Sequence, residues 1–319
     1  MRVLVTGGFG YLGAQVVRHF HEHGFDVRAL DRCPSDGHVA WASQLGVDVL
    51  AGDITRPDRL AAAVADVDVV VHAAALNMRA CAADPALALQ VNALGTRNVL
   101  AAAAEAGVAR FVYLSTIHVY GSLAGATVDE SYPQRPVSDY GVSKLAGEAY
   151  CHRFAAAGAI EAVVLRPANG FGPPVFADAD CWMLAVNDFC RTAYRTGEIV
   201  LLSPGTQRRD FLALSDTVRA IATVATTEAL PSDAAAAVLN VGAGISLSIR
   251  ELASIAAEVC SEVYGRAVTV RLPRGTEALT DDAPVDYRYD LISALGYAPA
   301  TDMRAGIRAV AEYVAALEG

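Results

Sequence analysis

RVLVTGGFGYLG, residues 2–13, places a short apolar β-type run directly before three glycines spaced as GxxGxxG, at Gly7, Gly10 and Gly13. Glycine permits a tight strand-to-helix turn and lets a pyrophosphate approach backbone at a helix N-terminus. Taken alone the turn also serves packing. Asp31 follows 24 positions after Gly7, at the end of the next apolar run. A carboxylate there can accept from an adenosine ribose and repel a 2′-phosphate, which favours NAD; Arg32 beside it leaves NADP open.

Working outward, RVLVT (2–6), DVRAL (26–30), VDVLA (47–51), VDVVVH (67–72), RFVYLS (110–115) and EAVVLR (161–166) read as strands. Helical candidates at 11–23, 57–65, 84–106 and 139–157 separate them. Continuous apolar strands alternating with helices predict an α/β fold, a doubly wound parallel sheet covered on both faces. Ligands of such sheets sit beyond the strand C-termini. There GDI (52–54) offers Asp53 to an adenine amino group and Ile54 to its ring, while Asp53 as a turn or N-cap residue stays open. The small Ala73, Ala74 and Ala75 let a cofactor lie on backbone. His72 reads as a satisfied strand-end histidine.

After Arg166 the rhythm breaks at NGFGPP (169–174). Helices near 181–196, 215–228, 248–263 and 302–317 and strands near 198–202, 209–214 and 237–241 follow. The alanine runs at 61–63, 101–104, 155–157 and 234–237 read as helix or helix flank. Residues 1–170 are expected to form a dinucleotide-binding Rossmann domain, with strands near 209–241 returning to it. Residues 171–319 mainly supply a smaller interleaved substrate-binding lobe.

The 319 residues are 54% hydrophobic and carry a formal charge of -10. That balance argues against nucleic acid, whose backbone requires clustered basic residues. No apolar stretch reaches membrane-spanning length, so no membrane partner is expected. Cys33, Cys81, Cys151, Cys181, Cys190 and Cys260 show no metal spacing, so no metal is expected and reduced thiols in cytoplasm are.

One lysine, Lys144, stands among 24 arginines, four residues after Tyr140 in YGVSK. On a helix the two share a face. Its survival points to a task for a compact ammonium of shiftable pKa.

TGGFGYLG, Asp31, GDI, HAAA, VNALGTRNVL, STIHVYG, YGVSK and RPANGFGP resemble, in that order, the extended short-chain dehydrogenase/reductase family, in its branch of nucleotide-sugar epimerases and dehydratases. The resemblance continues through RRDFLALSD (208–216) and LNVGAGISLSIREL (239–252). It implies cofactor contacts from Tyr11, Leu12 and Pro167 besides those above, with Tyr140 and Lys144 at the nicotinamide end. It also implies a homodimer paired through the helices near 84–106 and 139–157.

In the pose the family implies, Tyr140 takes a proton from a sugar hydroxyl. An ordinary tyrosine titrates near ~10, and a neighbouring ammonium and an oxidised nicotinamide favour its phenolate. Thr116 holds the family's active-site hydroxyl, and Ser115 faces the other way. Asn92 props the backbone. His118, Asn169 and Arg209 are implied to meet the substrate, with Arg209 on the nucleotide or its phosphates; Arg209 paired with Asp210 or Asp216 is the structural alternative. Family 4,6-dehydratases carry Asp-Glu after the threonine, where this chain has Ile117 and His118. Residues 271–290 depart from the family's Arg-x-Gly-Asp stretch, which leaves the nucleotide and sugar open. The expected activity is NAD-dependent C4 epimerisation of a nucleotide-diphosphate sugar. Reduction of a nucleotide 4-keto sugar is the alternative, followed by a non-catalytic NAD(H) sensor.

Overall fold

The computed structural model describes residues 1–228, 230, 236–276 and 278–319. In chain order come β1 (Arg2–Thr6), α1 (Tyr11–Glu22), β2 (Asp26–Asp31), α2 (Asp36–Leu45), β3 (Asp48–Ala51), α3 (Ala61–Val64), β4 (Val69–His72), α4 (Met78–Ala83), α5 (Pro85–Ala88), α6 (Thr96–Glu105) and β5 (Arg110–Leu114). There follow β6 (Thr127–Val128), α7 (Asp139–Ala156), β7 (Glu161–Pro167), β8 (Asn169–Phe171), α8 (Ala185–Thr196), β9 (Glu198–Val200) and β10 (Arg208–Ala213). The chain ends with α9 (Leu214–Thr226), β11 (Ala236–Val241), β12 (Ser246–Ser248), α10 (Ile249–Tyr264), β13 (Thr269–Arg271), β14 (Asp286–Tyr287), α11 (Asp290–Ser293) and α12 (Met303–Glu318).

Seven strands pair in parallel in the order β11-β7-β5-β4-β1-β2-β3. This is the predicted doubly wound sheet. Because side chains alternate along a strand, Val3 and Val5 enter the core on one face of the sheet and Leu4 the core on the other. Strand order reverses between β1 and β4, so a crevice opens at their C-terminal ends. A third apolar cluster joins α8, α10 and α12 in the C-terminal lobe.

Of the late strands, β11 joins the large sheet beside β7, whereas β10 does not. Instead β10 pairs with β8 and β12 in a separate three-stranded sheet. Ala234 and Ala235 lie outside the described residues; Ala236 and Ala237 are strand, paired with Ala162 and Val163. Pairing with a buried strand overrides alanine's helix preference here. Three helices lie where none was predicted, α2, α4 and α11. Ser35 closes a capping box with His38 and Gly46 ends α2 at φ 70°; Asn77 caps α4. The helix predicted at 57–65 divides into a 3₁₀ turn at Pro57–Arg59 and α3, and the one at 84–106 is interrupted by a π-helical stretch at Leu89–Gly95. Among the described residues no helix is long and apolar enough to cross a membrane.

Candidate active site

The β1–α1 turn is built from close approach. Gly7 has φ 68°, and a Cβ on it would stand 2.8 Å from the Ala74 backbone; a Cβ on Gly13 would collide with the Gly7 carbonyl oxygen. Gly10 caps α1 without a side chain, and no acidic residue occupies the first turn, so the helix N-terminus is left open to an anion. Asp31 is fixed at the lip: Oδ2 accepts from Phe9 N at 3.1 Å and Oδ1 from Arg32 N at 2.7 Å. Each oxygen keeps lone-pair capacity for another donor. This cradle fits a dinucleotide.

The other predicted cofactor residues also make contacts within the chain. Asp53 Oδ1 closes a turn onto Thr55, accepting from N and Oγ1 at 2.8 Å each. Buried Ile54 packs against Gly95. Tyr11 Oη donates to Gly172 O at 2.8 Å, tying the helix start to the second lobe. Leu12 packs at the margin of a core cluster, and Pro167 ends β7 opposite Val241. Ala73 and Ala75, flanking Ala74, continue the chain past β4.

Thr116 caps the 3₁₀ turn Ile117–Val119 immediately after β5, its hydroxyl accepting from His118 N at 3.3 Å. Ser138 caps α7 by accepting from Gly141 N at 3.2 Å. A Cβ on Gly141 would come 2.8 Å from His118 O, so the glycine of YGVSK seats α7 directly on that turn. Tyr140 is thereby brought near the Thr116 hydroxyl. Burial and the nearby Cys81 push the Tyr140 phenol up to about 12, opposed by the neighbouring Thr116 hydroxyl. One helical turn on, Lys144 is 2% exposed, with Nζ 4.3 Å from the Tyr113 ring centroid. Burial lowers the ammonium to about 8 against the pull of Cys151, Glu148 and Cys81.

Buried polar residues support this pair. Asn92, in the π-helical stretch, accepts from Leu76 N at 2.7 Å and donates to Leu76 O and Ser143 Oγ at 3.2 and 3.0 Å. Ser143 in turn bonds Tyr140 O at 2.9 Å. His72 lies between the Thr6 and Thr96 hydroxyls at 2.7 and 3.0 Å, and burial lowers it to about 3, so it is neutral. Ser115 points away from Thr116 and donates to Glu148. Arg166 donates to both Glu148 oxygens, from Nε at 3.0 Å and Nη2 at 2.6 Å. Sequence reasoning missed this pair, although Glu148 stands four residues beyond Lys144, on the helical spacing that links Lys144 to Tyr140.

His118, Asn169 and Arg209 line one cavity of about 310 Å³ together with Ile117, Gln207 and Asp282. The His118 ring stands 6.2 Å from that of Tyr140, and burial plus Arg209 lower His118 to about 4, which leaves it neutral. Strand alternation sorts RRD. Arg208 is taken by Glu251 and Asp281 at 2.9 and 3.3 Å. Asp210 accepts from the amides of Ala243, Gly244 and Ile245, and Asp216 holds Arg219 and Thr301. Neither carboxylate takes Arg209, which among the described residues has no acidic partner. Asn169 donates one N–H to Asp210 O at 3.0 Å, leaving its second N–H free to donate. Within 271–290, Glu277 lies outside the described residues.

A model of the NAD dependent epimerase/dehydratase family matches residues 3–242. The chain belongs to that family. It is 28% identical to mouse dTDP-D-glucose 4,6-dehydratase, over 98% of this chain and 88% of the relative. It is 33% identical to the dTDP-6-deoxy-L-talose 4-dehydrogenase (NAD(P)(+)) of Kitasatospora kifunensis, over 96% and 93%. Among solved structures, the UDP-glucose 4-epimerase of Thermus thermophilus in complex with NAD superposes with a TM-score of 0.81 at 26% identity, covering 99% of each chain. The protein is thus an enzyme of the epimerase/dehydratase family, whose members include epimerases and dehydratases alike.

Proposed function

We propose that this enzyme is a nucleotide-sugar 4-epimerase using NAD. The observation that carries the reading is the proximity of Thr116 and Tyr140 beside a cavity that also presents Arg209, which among the described residues has no acidic partner. A guanidinium left unpaired in a cleft suits the paired oxygens of a diphosphate. The cradle of Gly7, Gly10 and Gly13, the Asp31 carboxylate and the backbone at Ala73–Ala75 would hold NAD, with Asp31 favouring it over NADP. When bound, NAD supplies a hydride acceptor and donor.

Tyr140 then takes the proton of the sugar C4 hydroxyl and later returns it, while the Thr116 hydroxyl bonds the same oxygen and holds it in line. Without cofactor the phenol stands at about 12, so positive charge brought to the site must lower it before it works as a base near neutrality. Lys144 supplies an ammonium one helical turn away. Asn169 and Arg209 hold the diphosphate while the 4-keto sugar turns its other face. Ile117 and a neutral His118 stand where dehydratases of the family carry an acid pair, so elimination of water lacks its proton shuttle. Exposed Leu87, Leu89, Leu94 and Val142 on and between α5, the π-helical stretch and α7 support the proposed homodimer.

A second reading, reduction of a nucleotide 4-keto sugar, is favoured by the 33% identity to the talose dehydrogenase. The test is incubation with a panel of nucleotide hexoses followed by NMR, with absorbance of NADH monitored. Interconversion of C4 epimers without net NADH change supports epimerase. Sustained NAD(P)H oxidation with a 4-keto sugar and no epimerisation replaces it with reductase.

A further inference from the structure

The segment after β8 crosses the mouth of the dinucleotide cradle. Its root is fixed where Gly172 O accepts from Tyr11 Oη at 2.8 Å and from Asn187 Nδ2 at 2.9 Å. One residue on, Pro173 O accepts from Gln15 Nε2 at 2.9 Å, a second tie to α1. The Phe176 ring then enters a cluster on the β2 flank, 4.4 Å from His38, 5.1 Å from Trp41 and 6.2 Å from Phe9 between centroids. Asp178 Oδ1 lies 3.7 Å from His38 Nε2. Finally Asp180 Oδ2 accepts from Asn77 Nδ2 at 2.6 Å, at the start of α4 on the β4 flank.

Since β1 lies between β2 and β4 in the sheet, a segment anchored on both flanks spans the glycine turn that follows β1. Of the residues it grips, Phe9 belongs to that turn and Tyr11 begins the helix that follows it. Phe9 sits inside GGFGYLG with its amide on Asp31, and its ring stacks on His38 at 4.9 Å and 7°. Asn77 lies two residues beyond Ala75.

We propose that residues 172–180 form a clasp over the adenosine and pyrophosphate half of the bound dinucleotide, and that Phe176, His38 and Asp180 set how long the cofactor stays. The inference rests on the reading that NAD occupies the glycine cradle. It adds a reason that the enzyme can hold its cofactor through the lifetime of a keto intermediate. None of the three residues touches Thr116, Tyr140 or Lys144 in the contacts above, so the clasp governs exchange and leaves proton transfer alone.

The test is stopped-flow dissociation of NADH from the full-length protein, followed by NADH fluorescence after mixing with excess NAD. Each aromatic contact is worth about 2- to 12-fold, so losing the three made by Phe176 in Phe176→Ala should speed release at least ~10-fold. Asp180→Ala, at an exposed position, removes only the far anchor and should speed release a few-fold, with stability in urea unchanged. It keeps the idea testable even if the Phe176 variant folds poorly. If the wild type gives no NADH signal, the dinucleotide reading itself fails. If it binds NADH and Asp180→Ala releases it at the wild-type rate, the clasp alone is overturned.

Discussion

Replacing Lys144 by methionine should make the protein more stable at neutral pH while removing its activity. Lys144 is 2% exposed, and burial carries its ammonium from the ordinary 10.5 to about 8. At ~1.36 kcal/mol per pKa unit this difference amounts to about 3 kcal/mol of destabilisation wherever lysine is charged in both folded and unfolded chains. Because the folded pKa is depressed, the unfolded chain binds more protons between about 8 and 10.5, and wild-type stability rises with pH across that window. Methionine matches the lysine stem in length, makes a favourable contact with the Tyr113 ring and does not titrate. Urea unfolding of both proteins from pH 7 to 10.5 is the assay. Lys144→Met should be the more stable by up to ~3 kcal/mol at pH 7, with the gap closing as pH rises. Titrating groups that do not feel the Lys144 charge are common to both proteins and cancel in the difference. A variant no more stable than wild type, or a gap constant with pH, would refute the argument that this charge is held at a cost.

Tyr140→Phe should keep the fold and cofactor binding yet lose at least ~10²-fold in kcat, since it removes the proton acceptor; near-normal turnover excludes Tyr140 as the base. Arg209→Leu should weaken binding of the nucleotide sugar by ~10-fold or more while sparing NADH affinity, as expected of a lost charge-assisted contact worth ~1.5–3 kcal/mol. Calorimetric titration with a nucleoside diphosphate checks it, and unchanged affinity rejects the phosphate role. Asp31→Ser should weaken NADH and narrow its advantage over NADPH, because one acceptor and one repulsive charge disappear; a wild type that prefers NADPH contradicts the assignment.

The parts of the fold readable from sequence are those specified locally. The strand-to-glycine turn, Asp31 at the end of β2 and the Tyr140–Lys144 spacing each depend on residues within a turn or two of one another. The small sheet of β8, β10 and β12 does not. Its strands β8 and β12 are three residues long, and their partners are set by Asp210, whose carboxylate collects amides from residues more than thirty positions away. Helix α2 did leave a local signal in Ser35 and Gly46, but histidine replaces the usual glutamate or glutamine of the capping box. The freedom of Arg209 was unreadable for another reason. It depends on where Asp210 and Asp216 spend their charge, and both spend it on distant backbone or a neighbouring arginine.

The survival of a single lysine follows from the same accounting of partners. Tyr140, Lys144 and Glu148 recur at four-residue spacing along α7, so one helix face carries the candidate base, the ammonium and a buried carboxylate. Glu148 is already engaged: Arg166 takes both its oxygens and Ser115 donates to one of them. That engagement locks the end of β5 to α7 and β7, and because side chains alternate, fixing Ser115 on one side presents Thr116 on the other. A guanidinium at position 144 would therefore find no carboxylate free to receive its fork, and it could not shed its charge to escape the cost of burial. An ammonium can, since its pKa moves with its surroundings. Arginine serves wherever a surface or bidentate charge is needed in this chain; at position 144 the positive charge must sit beside Tyr113 without a dedicated partner among the described residues, and of the two basic residues lysine is the one that tolerates that place.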